Sequence, residues 1–363
     1  MKQVFVSIKY AFVAALFVLA SCSKDDDGIL VPEEVKGPYS NGLIVVNEGW
    51  FGHESGSLNF LADGTAEVKT KVFAAENPGK ELGTTTEFAA KWKGKIYVVS
   101  KIGDLVVINA ATLKEEGRIS TFPDNVQPHA FCGITADLGV LSTSNGTYKV
   151  NLNTLTVGDK LAGVEGATGE MIVAENRLFV ISRDNGVVAY NAATLAFEKT
   201  LTKGVVGFAK TLNGKIWTAN EDTLKAINPK TLELELVPTK GVKFYYPSMA
   251  WTPSPIAASG TDNTVYFAKA GSWGGGTDIY RYVTGDASSV TAAFAKLPAG
   301  YGFYGCALRV DPKTKQVVAI GVKDGWGENY QYNKLVFYNG TTGATDKTVD
   351  YTGYFFPAML LFN

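Results

Sequence analysis

The chain has 363 residues, with 34 Lys and Arg against 35 Asp and Glu, a formal net charge of −1, three cysteines and two histidines. That balance offers no electrostatic footprint for nucleic acid, and two histidines rule out a histidine-rich metal centre. The length exceeds one ordinary small domain, which directs the search to internal repeats.

At the N-terminus, Lys2 and Lys9 form a basic region and Tyr10–Ala20 a short apolar one. The apolar run is too brief to span a bilayer and reads as a secretory signal. It ends in Leu19-Ala20-Ser21-Cys22, which matches a bacterial lipobox. Residues 1–21 are therefore expected to be a signal peptide, and Cys22 to carry acyl chains that together hold the protein stably on a membrane. Ser23-Lys24-Asp25-Asp26-Asp27 resembles the acidic export signal of Bacteroidetes lipoproteins. The expected location is the outer membrane, with the cell surface favoured and the periplasmic face also compatible. Residues 22–40 are too charged and Pro-containing to bury much surface, and they read as a tether.

From residue 41 onward a short phrase recurs. It reads Ile108-Asn109-Ala110-Ala111-Thr112-Leu113, and it returns around Asn151, Asn191 and Asn228, with a weaker copy at Asn339. Asn, Gly, Pro and Thr between two β-rich runs are turn chemistry, so each copy predicts a hairpin. Apolar strands precede each copy, as in Lys95–Val99 and Arg177–Ile181, with another strand before most of these. Four strands per 40–50 residues is the period of a propeller blade. The prediction is an all-β, seven-bladed β-propeller over 41–363. Its last blade combines three N-terminal strands within residues 43–73 and the C-terminal strand Pro357–Phe362, so that no edge stays open. Cys132 and Cys306 fall in apolar strands of separate blades and are expected to be buried thiols.

Strand alternation puts the Asn-turn hairpins on one face, the bottom, and longer loops on the other, the top. The top loops carry Asn47, Glu48, Trp50, Phe51, His53, Tyr245, Tyr246, Trp273, Tyr304, Trp326, Tyr330 and Phe355. Shorter top loops add Glu87, Gln127, His129, Glu170, Arg183, Asn185, Asn220 and Asp222. Aromatic walls over a polar floor suit a large amphipathic small molecule. No catalytic motif or cofactor site is evident. Gly300-Tyr301-Gly302-Phe303-Tyr304-Gly305 fits a dinucleotide pattern but opens no predicted helix, and no metal ligand set is assigned. Binding is expected rather than catalysis. Two other classes stay open. One is a calcium-dependent, lactonase-like hydrolase with Glu48, Glu87, Glu170 and Glu221 ringing the axis; the other is a protein- or glycan-docking module.

The repeat phrases resemble those of YVTN-type propellers. Asn47-Glu48-Gly49-Trp50-Phe51-Gly52, followed by Gly56-Ser57-Leu58, resembles the opening of the Bacteroidetes DUF5074 propeller lipoproteins. That family includes surface lipoproteins that capture vitamin B12 and pass it to a TonB-dependent outer-membrane transporter. The resemblance implies a cobamide on the top face, such a transporter as partner, and a membrane contact through the lipid anchor alone.

Overall fold

The computed structural model describes residues 36–363 except 205, 247–252, 254 and 273–274. Cys22, the signal peptide and Trp273 lie outside the described residues. The first strands are β1 (Gly42–Asn47), β2 (Ser57–Ala62) and β3 (Val68–Lys69). There follow β4 (Gly83–Trp92), β5 (Lys95–Gly103), β6 (Leu105–Asn109) and β7 (Glu115–Ile119), then β8 (Pro128–Gly133), β9 (Leu138–Thr143), β10 (Gly146–Asn151) and β11 (Thr156–Lys160). The fourth group is β12 (Thr168–Ala174), β13 (Arg177–Ser182), β14 (Gly186–Asn191) and β15 (Phe197–Thr202); the fifth is β16 (Val206–Lys210), β17 (Ile216–Asn220), β18 (Thr223–Ile227) and β19 (Leu234–Pro238). The sixth is β20 (Ile256–Ala258), β21 (Thr264–Ala270), β22 (Gly275–Val283) and β23 (Ala295–Lys296); the seventh is β24 (Tyr301–Val310), β25 (Val317–Lys323), β26 (Tyr332–Tyr338) and β27 (Thr345–Thr352). The chain ends with β28 (Pro357–Phe362).

Among the described residues these strands form seven four-stranded antiparallel sheets, and the protein is a seven-bladed β-propeller. Blade 1 has the order β28-β1-β2-β3, so the two ends of the propeller close one sheet, with Leu43 opposite Phe362 and Val46 opposite Met359. Blades 2 to 7 are the six groups in chain order. One difference from the sequence reading lies in blade 1. Its outermost strand is only two residues long, and Val72–Glu76 form a short helix whose Val72 and Phe73 are buried. Apolar burial there satisfies the segment without a strand.

The recurring phrase has a local cause. The Asn109 carboxamide oxygen accepts from Ala111 N at 3.0 Å and Thr112 N at 3.1 Å, and Asn151, Asn191, Asn228 and Asn339 repeat the arrangement. The fifth residue of each turn is left-handed: Leu113, Leu155, Leu195 and Leu232 have φ of 57°, 51°, 57° and 62°, and the weaker copy has Gly343 there. Leu113 is fully buried, so packing offsets the strain of a non-Gly residue in that region.

Inner and second strands supply the core, with Val98, Val180, Phe267 and Val318 wholly buried, each such side chain worth roughly 1.5–3 kcal/mol. Blades meet through ring contacts: Tyr97 stacks 4.0 Å from Phe131, and Trp217 meets Tyr282 at a tilt, 5.4 Å away. Both remaining cysteines are free thiols, Cys306 buried and Cys132 partly so; burial pushes the Cys132 thiol up to about 12. Of residues 37–40, placed in the tether by the sequence, Tyr39 is packed. Tyr39 is buried against Phe60 at 5.1 Å and donates its N–H to Ala111 O on the bottom face.

Candidate functional site

Among the described residues, six of the seven inner strands slip register against the strand beside them. The extra residues are Ala358 in β28, Glu87 in β4, His129 in β8, Gly169 and Glu170 in β12, Gly207 and Phe208 in β16, and Tyr304–Ala307 in β24. A bulge leaves its extra residue unpaired and re-aims the side chain. Here the re-aimed groups reach neighbouring blades around the axis. The His129 Nδ1 lies 2.7 Å from Thr168 O, and Phe208 N donates to Glu170 Oε1 at 3.4 Å.

Glu48 joins this ring from the β1–β2 loop, where its backbone is clamped on both sides. Its N–H donates to Phe356 O at 3.0 Å, and Thr85 N donates to its carbonyl at 3.1 Å. Glu48 thereby stands beside Glu87, and its carboxyl accepts from the Tyr304 hydroxyl. Burial pushes the Glu48 carboxyl up to about 7, with Tyr304 and the Lys101 charge opposing. Burial pushes Glu87 up to about 8, and the Glu48 charge adds to it. Two carboxyls this close titrate as a pair and hold a proton near neutral pH. Glu87 is 2% exposed and its Oε1 has no protein partner. Burial holds the His129 imidazole down at about 4, so it is neutral. Because a carbonyl only accepts, its Nδ1 carries the proton.

Aromatic rings climb from this floor to the rim. Tyr304 lies 5.9 Å from Phe356, Phe356 lies 5.4 Å from Tyr330, and Tyr330 lies 6.1 Å from Trp326, which is 86% exposed. On the blade 1 side Trp50 is sandwiched, 4.0 Å from His53 and 4.4 Å from Tyr354. Among the described residues, every exposed large aromatic except Phe197 lies on the top face: Trp50, Phe51, Tyr246, Trp326 and Tyr332. Exposed aromatic rings gathered on one face mark it as a binding face. A cleft of about 490 Å³ adjoins the stack, lined by His53, Ser55, Lys71, Phe73, Lys80 and Glu81 among others. Lys71 pairs with Glu54 at 3.0 Å, the Ser55 hydroxyl donates to Glu81 at 2.6 Å, and Lys80 reaches outside the cleft to Glu115 at 3.3 Å.

The structure thus brings together Glu48, Glu87, His129, Tyr245 and Tyr304 at the floor, and Trp50, His53, Trp326 and Tyr330 at the rim. Glu170 takes part in the ring through Phe208 N, while other described residues that the sequence singled out lie apart from that group. Asn47 is fully buried and donates to Val45 O and Ser57 O, holding the loop base. Phe355 is buried against Tyr351, and the ring that faces the mouth is its neighbour Phe356, set by a left-handed φ of 52°. Tyr245 is buried, its hydroxyl pushed up by desolvation, whereas Tyr246 is exposed. Gln127 and Arg183 are exposed on separate blades, Asn220 is half-buried at a β17 end, and Asn185 accepts from Ser182 within its own turn. Glu221, expected near the axis, is exposed in the β17–β18 turn. Lys101, at the top end of β5, escaped the sequence reading; its charge reaches Glu48, Glu87 and His129. Among the described residues, no three His, Cys, Asp or Glu side chains are placed to hold a metal ion. The Gly300–Gly305 run begins β24 rather than a helix.

The model of one family, a domain of unknown function (DUF5074), matches residues 41–363. The chain belongs to that family. No curated protein matches the sequence. Among solved structures, the fold is similar to the extracellular domain of a B. thetaiotaomicron protein assigned to the hybrid two-component systems, at 15% identity and a TM-score of 0.51 over 78% of this chain. The chain spans 38% of that protein. It is also similar to a computationally designed protein (14% identity, TM-score 0.51, covering 87% of this chain and 88% of that one). A third is the dihydro-heme d1 dehydrogenase NirN in complex with DHE (10% identity, TM-score 0.56, 90% and 76%). At these identities the DUF5074 protein shares a fold with them. No helix among the described residues is long and apolar enough to cross a membrane.

Proposed function

We propose that this DUF5074 protein is a surface-displayed binding protein that captures an amphipathic nutrient, a cobamide such as vitamin B12, and delivers it to a TonB-dependent outer-membrane transporter. The observation that carries the reading is the aromatic stair from exposed Trp326 down to half-buried Glu48 and buried Glu87. Exposed rings at the rim give large contact area at low entropic cost, and polar groups at the floor fix orientation. Capture needs no chemistry: a preformed face binds, slow release follows from tight binding, and an acyl anchor at Cys22 keeps the protein near its receiver. The lactonase-like alternative needs converging carboxylates, and Glu221 stands apart from Glu48 and Glu87.

Calorimetric titration of the purified protein with cyanocobalamin and cobinamide tests this. Stoichiometric binding is expected, and Trp50→Ala and Trp326→Ala should each weaken it by about 1–2 kcal/mol. Absence of heat with both ligands, or binding untouched by both substitutions, would overturn the proposal.

A further inference from the structure

The floor of the mouth holds two acids that the fold forces together. Glu48 is clamped by Phe356 O and Thr85 N, and Glu87 is the bulged residue next to Thr86, whose own N–H also points to Glu48 O at 3.4 Å. Glu87 is almost wholly buried with one carboxyl oxygen lacking a protein partner. An unmet acceptor in such a place asks for a donor. The surroundings restrict what kind. An anion would face two acids, and a cation would face the ammonium of Lys101, whose charge reaches both. Either ion would also lose hydration beside the Glu87 carboxyl, which is 2% exposed. An uncharged polar group meets none of these penalties.

We propose that the Glu48–Glu87 pair is a hydrogen-bonding subsite for one uncharged ligand group that both donates and accepts, a carboxamide or a hydroxyl. A protonated carboxyl presents one donor and one acceptor side by side, and such a group matches both. The pair keeps its proton in the complex. The other groups facing it do not change charge between pH 6 and 9 in a way that mimics this: His129 stays neutral, and burial pushes the Tyr304 and Tyr245 hydroxyls up. The subsite rests on the mouth reading above and deepens it.

The first test is the affinity of the purified protein for cyanocobalamin from pH 6 to pH 9. Retention of one proton predicts a loss of about tenfold per unit above about pH 8, and Glu87→Gln, which keeps an uncharged donor and acceptor, should flatten that fall. Binding that is level or rises with pH would refute the subsite while leaving the mouth intact. Should cyanocobalamin not bind, the subsite is read without it, from the side-chain carboxyl carbon resonances of Glu48 and Glu87. Acetamide at pH 6 should shift them, and acetate or methylammonium should not. A response to methylammonium alone, or to none of the three, would overturn the proposal.

Discussion

Glu87 shows how one residue can be placed at a cost to the fold. A carboxyl that sits 2% exposed without a partner for one oxygen destabilises the folded state once ionised. Its value rises from the ordinary 4.5 to about 8 because burial disfavours the charge. The protonated form is favoured by folding, so its stabilising contribution is complete below 4.5 and is lost as the pH climbs through about 8. Glu87→Gln removes the titrating group while keeping shape and hydrogen-bonding capacity. The variant should therefore gain on the natural protein by at least about 1 kcal/mol between pH 5 and pH 9 in urea unfolding. Parallel stability curves for the two proteins would show that Glu87 is solvated and partnered in solution.

At the scale of elements, the turns were legible and the bulges were not. Each Asn turn is closed by its own side chain within three residues, so the recurring Asn phrase reports a hairpin directly, as at Asn109 and Asn191. The rim was legible for the same local reason, because Trp50 and Trp326 stand in Gly-rich loops. The register slips at Glu87, His129 and Glu170 depend on packing between blades, and no residue pattern announces them. Lys101 was missed because it lies in an ordinary strand and gains meaning only from what the β4 bulge turns toward it. Phe355 and Phe356 are adjacent aromatics, and only the left-handed backbone at Phe356 decides which one faces the mouth. Closure of blade 1 is similarly specific at its final residue. The Asn363 carboxamide donates to Tyr39 O at 2.7 Å and Ala110 O at 2.5 Å, and its backbone pairs with Gly42. Asn363→Ala leaves two buried carbonyls unpaired and should cost about 1–3 kcal/mol, measured as a lower urea midpoint with unchanged slope. An unaltered midpoint would mean that strand pairing between β1 and β28 alone carries the closure.

The whole molecule gives the two faces different tasks. Residues 37–41 lie under the bottom face, where Tyr39 meets Ala111 and Asn363 and where Asn41 starts the turn into β1. The mouth with Trp50 and Trp326 is on the opposite face. If Cys22 carries the acyl anchor, residues 23–38 separate it from Tyr39, where the chain packs on the propeller, a reach of at most about 55 Å. On the proposed function, the tether would join the bottom face through residues 37–41, and a transporter would have to receive the ligand from the opposite face. Delivery, unlike capture, therefore depends on tether length. Deleting residues 28–35, which spares the acidic run Asp25-Asp26-Asp27, should leave cyanocobalamin affinity of the purified protein unchanged and depress cellular uptake severalfold, because the shortened chain no longer lets the mouth reach the receiver. Cys22→Ala should abolish membrane association in the same cells, which separates loss of the anchor from loss of reach. Uptake that survives the deletion would mean that the receiver approaches the top face by itself, and the tether would then serve retention alone.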